Sequence, residues 1–354
     1  MKLKKINFAK PLLAAGIAFQ VVWYVLLWAR FVSSPELKGA DFISFYTAGL
    51  IAKSGHISQI YDLQLQHDIQ QNVVGKQIGP EEFLPFLHPP FLVPLQSLIT
   101  SSNYAASYQR WSLVLLAFVG IGAYILWRLL RAKGWDHKAR TSAVLTTILF
   151  YPIFISILKG QDTAFLLIGA LLWLYGLAYQ DDRLAGLSLS LALIRPQVAI
   201  VLAIPFLFKR QRILVWFFFG AIVLLIYSVL LVGIEGVQSF ITTLFVSAGG
   251  EGYGLNQSVM FNFTGLALRL FPQIDPIVIR WLAWGLFAAA VVGLSVLWKV
   301  SASIRLRHLG LAVVTSLFVA PHLHYHELAL LVIPLLGLGL AGVTAGRLTV
   351  PRAA

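Results

Sequence analysis

The chain has 354 residues, 58% of them hydrophobic and only 12% charged, where soluble domains carry roughly a quarter; mean hydropathy is +0.81. That balance excludes a soluble domain of any size and points to an integral membrane protein. Disulfides and thiolate metal sites are excluded because cysteine is absent, and the net charge of +13 sits in short loops between apolar segments, where it orients the chain rather than binding nucleic acid.

Lys2, Lys4, Lys5 and Lys10 place the N-terminus in the cytoplasm, and the apolar run 11–31 is a full span that reads as a retained signal anchor. Residues 32–108 follow outside, as the first extracytoplasmic loop. They hold a Gln-rich patch (Gln59 to Gln77) and a Pro-rich one (Pro85, Pro89, Pro90, Pro94). Short helices at the membrane surface are expected over 41–53 and 61–73, whereas the prolines after His88 forbid a regular helix there. Spans follow at 109–130, 141–158 and 163–179, the first two separated by a cytoplasmic loop with Arg128, Arg131, Lys133, Lys138 and Arg140. The stretch 184–208 is interrupted by Arg195-Pro196-Gln197; each half is short for a bilayer, giving two short spans or a broken hairpin. Lys209 to Arg212 returns the chain inside. The segment 213–232 spans, 259–271 is too short to cross, and 276–298, 309–320 and 328–346 complete about ten spans. The expectation is an all-α polytopic membrane protein, a single integral membrane domain over 1–354, in the plasma or inner membrane with both termini cytoplasmic.

The same rule puts five polar groups from distant parts of the sequence on one side: Asp41, Lys159 to Asp162, Arg195-Pro196-Gln197, Asn256-Gln257-Ser258, and His322, His324 and His326. Ionisable residues at or within a membrane are functional candidates by default. Asp41 follows the first span directly and can be a helix cap or a general base. Lys159, Gln161 and Asp162 suit phosphate and sugar contact, or snorkelling and capping. Arg195 amid apolar residues suits a bidentate grip on phosphate, or a salt bridge to Asp162 or another acid. Amides at Gln197, Asn256 and Gln257 suit sugar hydroxyls. His322 and His326 share a helix face only if that segment is helical, and with no His-Glu-x-x-His or acidic cluster, hydrogen bonding to phosphate is preferred to a metal site. Phe42, Phe45 and Tyr46 can line a sugar or lipid groove.

Asp41-Phe-x-x-Phe-Tyr-x-Ala-Gly, then Gly55, Tyr61-Asp62, Pro89-Pro90 and Pro94-Leu95, resembles glycosyltransferase family 87, polyprenyl-phosphate-mannose-dependent mannosyltransferases of the GT-C superfamily. Gly160-Gln161, Arg195-Pro196-Gln197, Asn256-Gln257-Ser258 and Pro321-His322 fall in the expected order. The resemblance implies a GT-C-type bundle, an extracytoplasmic site, and Asp41 as catalytic base. It implies a hexose, mannose in the first place, moved with inversion from a polyprenyl-phosphate donor to a hydroxyl of an envelope glycolipid or glycan. Arg195, Lys159, His322 and His326 would hold the donor phosphate or lipid; Tyr46, Gln161, Gln197, Asn256 and Gln257 would hold sugar or acceptor. No cofactor or metal is required, since the leaving group is already activated. Arg195 stands where the family often has lysine. A lipid or solute transporter, or a catalytically silent partner in envelope assembly, is the alternative.

Overall fold

The computed structural model describes residues 9–248, 257–301 and 305–336. These are helices joined by short connections, with no strand among the described residues, the all-α polytopic architecture that the composition requires. Among the described residues, five helical stretches are long and apolar enough to cross a membrane: Pro11–Val32, Tyr104–Ala132, His137–Lys159, Arg212–Ser247 and Pro276–Val300. Other expected spans are shorter apolar helices such as Thr163–Tyr179 and Leu306–Val319, and the last runs beyond the described residues.

Helix α1 (Ala9–Val32) is long and apolar. The next helix, α2 (Phe42–Lys53), does not lie at a surface as expected. Its residues from Phe42 to Gly49 are all buried, because it is apolar around its whole circumference. Phe42 packs on Tyr104 and Tyr108, and Phe45 on Phe86 and Trp111. Helices α3 (Leu63–Val74) and α4 (Val93–Ile99) complete the connection to α5 (Tyr104–Ala132).

The expected span 141–158 is two helices, α6 (His137–Ile148) and α7 (Tyr151–Lys159), broken before Pro152. Proline cannot donate into a continuing helix. The break frees the Leu149 carbonyl, and α1 satisfies it: Gln20 Nε2 and Tyr24 Oη both donate to it, at 2.9 and 3.1 Å. Freed backbone at membrane depth survives only where neighbours re-satisfy it in this way.

Helix α8 (Thr163–Tyr179) follows a tight turn at Gly160. Tyr108 Oη donates to the Leu158 carbonyl (2.8 Å) and Trp111 Nε1 to that of Gly160 (2.7 Å), while at the other end of α5 Lys133 Nζ donates to Ala178 (3.0 Å). Helices α5 and α8 are therefore parallel, and the molecule has two distinguishable ends. At 1.5 Å per residue α5 is about 43 Å long, enough for a bilayer with its headgroups.

Gly160 has φ +74°, and a Cβ there would sit 2.6 Å from Phe42 Cβ. Both the conformation and the contact require glycine. Gly160→Ala should cost about 1–3 kcal/mol, read as a lower unfolding temperature in detergent. A variant as stable as wild type would show that α2 does not rest on this turn.

Helices α9 (Asp182–Ser190) and α10 (Pro196–Ala203) form the hairpin that the interrupted stretch allowed. Asp182 at its start pairs with Arg210 just past its end, so both feet stand at the Lys133 end and the tip points into the bundle. Arg195 is that tip, with non-helical φ −128° and ψ 82°. Helix α11 (Arg212–Ala248) is interrupted at Gly233, whose φ of 75° and ψ of 174° favour glycine. Beyond the interruption Phe240 packs on Tyr61. Helix α12 (Phe263–Leu270) is too short to cross. Its cap residue Asn262 accepts from Gly265 N and donates to Ala320 O, fixing it to the end of the α13 (Pro276–Val300) and α14 (Leu306–Val319) pair. The chain then runs irregularly through 320–324 into a 3-10 turn, Tyr325–Leu331.

Candidate active site

One cavity of about 510 Å³ takes its wall from the start of α2, the 84–88 segment, the α7–α8 connection, the hairpin tip, the far half of α11, α13 and the 321–327 segment. Its polar end carries Asp41, His88, Gln161, Arg195, Gln197, His322, His324, His326 and Glu327. Its apolar end carries Ile200, Leu244, Phe245, Val259, Trp284 and Phe287. Phe245 is 71% exposed, and Ile200, Val259 and Trp284 are also surface residues. The apolar end thus reaches the outer face of the bundle.

Asp41 stands at the N-terminus of α2, half-buried, and its side chain makes no capping hydrogen bond. Its backbone carbonyl accepts from Ser44 Oγ and from the Ser44 amide. No hydrogen bond or ion pair joins its carboxylate to any described residue. The helix-cap alternative therefore does not hold.

Arg195 is different. Its Nε donates to Glu327 Oε1 (2.7 Å), Nη2 to Asp162 Oδ1 (2.9 Å) and Nη1 to the Ile194 carbonyl (3.1 Å). The salt-bridge alternative holds, and with two acids rather than one. Asp162 does not cap α8; its side chain is fully buried beside the guanidinium. Burial alone would raise its carboxyl, but the charges of Arg195 and His88 outweigh burial and hold it below the usual carboxylate range. Glu327 also accepts from His326 Nε2 (3.1 Å) and the His324 amide (2.7 Å). Two carboxylates against one guanidinium leave little positive charge for a phosphate, so the bidentate grip expected of Arg195 is corrected: it is the bolt joining three elements of the wall.

The histidines share no helix face, because 321–324 is not helical. They pack ring against ring, His322 on His324 at 4.8 Å and His324 on His326 at 5.8 Å. Among the described residues no three acidic or imidazole side chains are grouped to hold a metal. Burial, reinforced by His324, pushes the His322 imidazole down to about 3, so it is neutral at pH 7 and offers a hydrogen bond rather than a charge. His322 Nδ1, His326 Nδ1 and Gln161 Oε1 are buried without a hydrogen-bond partner. Gln197 Nε2 donates to the His322 carbonyl (3.0 Å).

Three expected site residues lie elsewhere. Lys159 ends α7 with its ammonium 5.1 Å over the Phe31 ring, a cation–π contact outside the cavity wall. Tyr46 faces away from Asp41 around α2, and its hydroxyl donates to the Ser101 carbonyl (2.7 Å). Gln257 opens a 3-10 turn whose Val259, rather than Gln257, meets the cavity. Asn256 lies outside the described residues. His88 and Glu327 were missed as site residues.

Fold and cavity are those of a helical membrane protein with one chamber lined by both polar and apolar side chains. A family model described as glycosyltransferase family 87 matches residues 86–349. The chain belongs to that family, and is a membrane glycosyltransferase. The matched residues include His88, Asp162, Arg195 and Glu327, and begin after Asp41. No curated protein and no solved structure is detectably similar to the chain.

Proposed function

We propose that the protein moves a hexose, mannose in the first place, from a polyprenyl-phosphate donor to a hydroxyl of an envelope glycolipid or glycan, with inversion. The observation that carries this is the cavity's division: an unpartnered carboxylate at a polar end, continuous with an apolar wall that reaches the outer face of the bundle. A donor with a sugar phosphate on a polyprenyl chain has the same division. Asp41 would take the proton of the acceptor hydroxyl as its oxygen attacks the anomeric carbon. The lipid phosphate would leave with the bonding electrons. Gln161, Gln197, His322 and His326 supply donors and acceptors for sugar and phosphate oxygens.

The loop charges support an extracytoplasmic site in the plasma or inner membrane. The cavity end of α5 is opposite the end carrying Arg131 and Lys133, and basic connections stay cytoplasmic. Residues 32–108 would then be an outer loop carrying the catalytic Asp41, within one integral membrane domain. A cysteine introduced near residue 75 should react with an impermeant thiol reagent in intact cells, and one at 134 should not; the reverse would place the site inside. The chemistry is tested by supplying membranes with radiolabelled polyprenyl-phosphate-mannose. Transfer from a nucleotide sugar, with none from the lipid-linked one, would overturn the donor class.

A further inference from the structure

His88 is fixed in the cavity wall from several directions. Tyr61 Oη donates to its carbonyl (2.6 Å), and the two prolines that follow restrict its backbone. Its ring lies 4.3 Å from Phe45 and 5.4 Å from Phe86. Nδ1 is 2.8 Å from Asp162 Oδ2, off the line of a fully aligned hydrogen bond. Arg195 Nη1 lies 3.3 Å from the same nitrogen. A nitrogen facing a carboxylate and a guanidinium carries its proton toward the carboxylate. Nε2 is then the free edge of the ring: it has no hydrogen-bond partner among the described residues, and the side chain is 12% exposed, into the cavity that Asp41 also lines.

We propose that His88 Nε2 contacts the phosphate of the lipid-phosphate leaving group, with Asp162 as the residue that positions it. The inference rests on the donor class proposed above. Arg195 is committed to Asp162 and Glu327, Lys159 lies over Phe31, and His322 is held neutral. His88 and His326 each face an acid, Asp162 and Glu327, but the unpartnered Nδ1 of His326 is buried, whereas the outer edge of His88 is open to the cavity. In the transfer step the bond from the anomeric carbon to the phosphate oxygen breaks, and its electron pair goes to that oxygen. The acceptor oxygen bonds to the anomeric carbon and gives its proton to Asp41. Nε2–H of His88 donates a hydrogen bond to the phosphate oxygen as charge grows there, and water takes the proton from Asp41 after the products leave.

The test is binding of farnesyl phosphate, a lipid monophosphate without a sugar, to the purified full chain in detergent, with farnesol as control. His88→Asn keeps an amide where Nδ1 stands and removes the Nε2 edge. It should weaken farnesyl phosphate about 10- to 100-fold, the effect of one hydrogen bond to a charged group, and leave farnesol binding unchanged. Equal binding of farnesyl phosphate by wild type and variant would overturn the role of His88 alone. If wild type binds farnesyl phosphate no better than farnesol, the donor class falls, and this inference with it. Should the variant not fold, carbethoxylation of His88 in wild type, read by mass spectrometry, decides. Farnesyl phosphate should protect it and farnesol should not; equal labelling with both overturns the contact.

Discussion

Asp41→Asn should lower sugar transfer about a hundredfold to ten-thousandfold, the range for a general base, while the unfolding temperature stays within a degree or two of wild type. Both halves follow from one observation: the carboxylate lines the cavity and has no bonded partner among the described residues. A structural carboxylate would behave in the opposite way, because removing it would strand a donor. Asparagine has nearly the same volume and leaves the start of α2 packed on the Gly160 turn. The measurement is initial rate at saturating donor alongside thermal unfolding of the same preparation. Full activity in the variant would remove Asp41 as the base; a large loss of stability would mark it as structural.

Arg195→Gln should destabilise the fold by about 3–5 kcal/mol, the cost of removing one partner from a buried ion pair, and in cells much of the protein should be lost. The guanidinium is flanked by Asp162 and Glu327 at 2.9 and 2.7 Å. Without it two buried carboxylates remain, with only imidazoles and backbone amides to answer them. Arg195→Lys should retain part of the stability, since an ammonium keeps the charge but lacks the fork that reaches both acids at once. Unfolding temperature in detergent and yield of folded protein report the difference. A glutamine variant as stable as wild type would mean that the acids protonate without cost and that the guanidinium does not bolt the wall together.

Much of the site was legible because membranes penalise unpaired charge. Arg195 within an apolar stretch demanded a partner, and the acids nearest to apolar segments on the same side were Asp162 and Glu327. Asp162 was read both as a cap and as a possible partner of Arg195, while Glu327 was not singled out. What the residues could not reveal is that both acids close on the same guanidinium, since that depends on how the hairpin tip enters the bundle. His88 was hidden for a different reason. The prolines after it account for themselves as backbone breakers, so nothing local marks the imidazole as functional; only the fold brings Asp162 to it across the α7–α8 turn. Lys159 shows the converse. A cation at a helix end beside a polar turn looks like a phosphate ligand, but the aromatic ring that claims it comes from α1, far away in sequence. Hydropathy likewise located apolar segments along the chain but could not separate a long span from a short one. The break before Pro152 and the burial of α2 depend on what packs around them.

The distance along the chain between the partners of Arg195 has a consequence for synthesis. Asp162 precedes Arg195 by 33 residues and Glu327 follows it by 132. At ribosomal speeds of about 5–20 residues per second, Arg195 waits roughly 7–26 s for its second acid. In that interval the hairpin holds one guanidinium against one carboxylate, a neutral pair that lipid tolerates better than either charge alone. When Glu327 arrives, it draws the 321–327 segment onto a tip already in place. The 321–327 segment is the last in chain order of the described residues that line the chamber, and the nascent protein has no complete chamber before it.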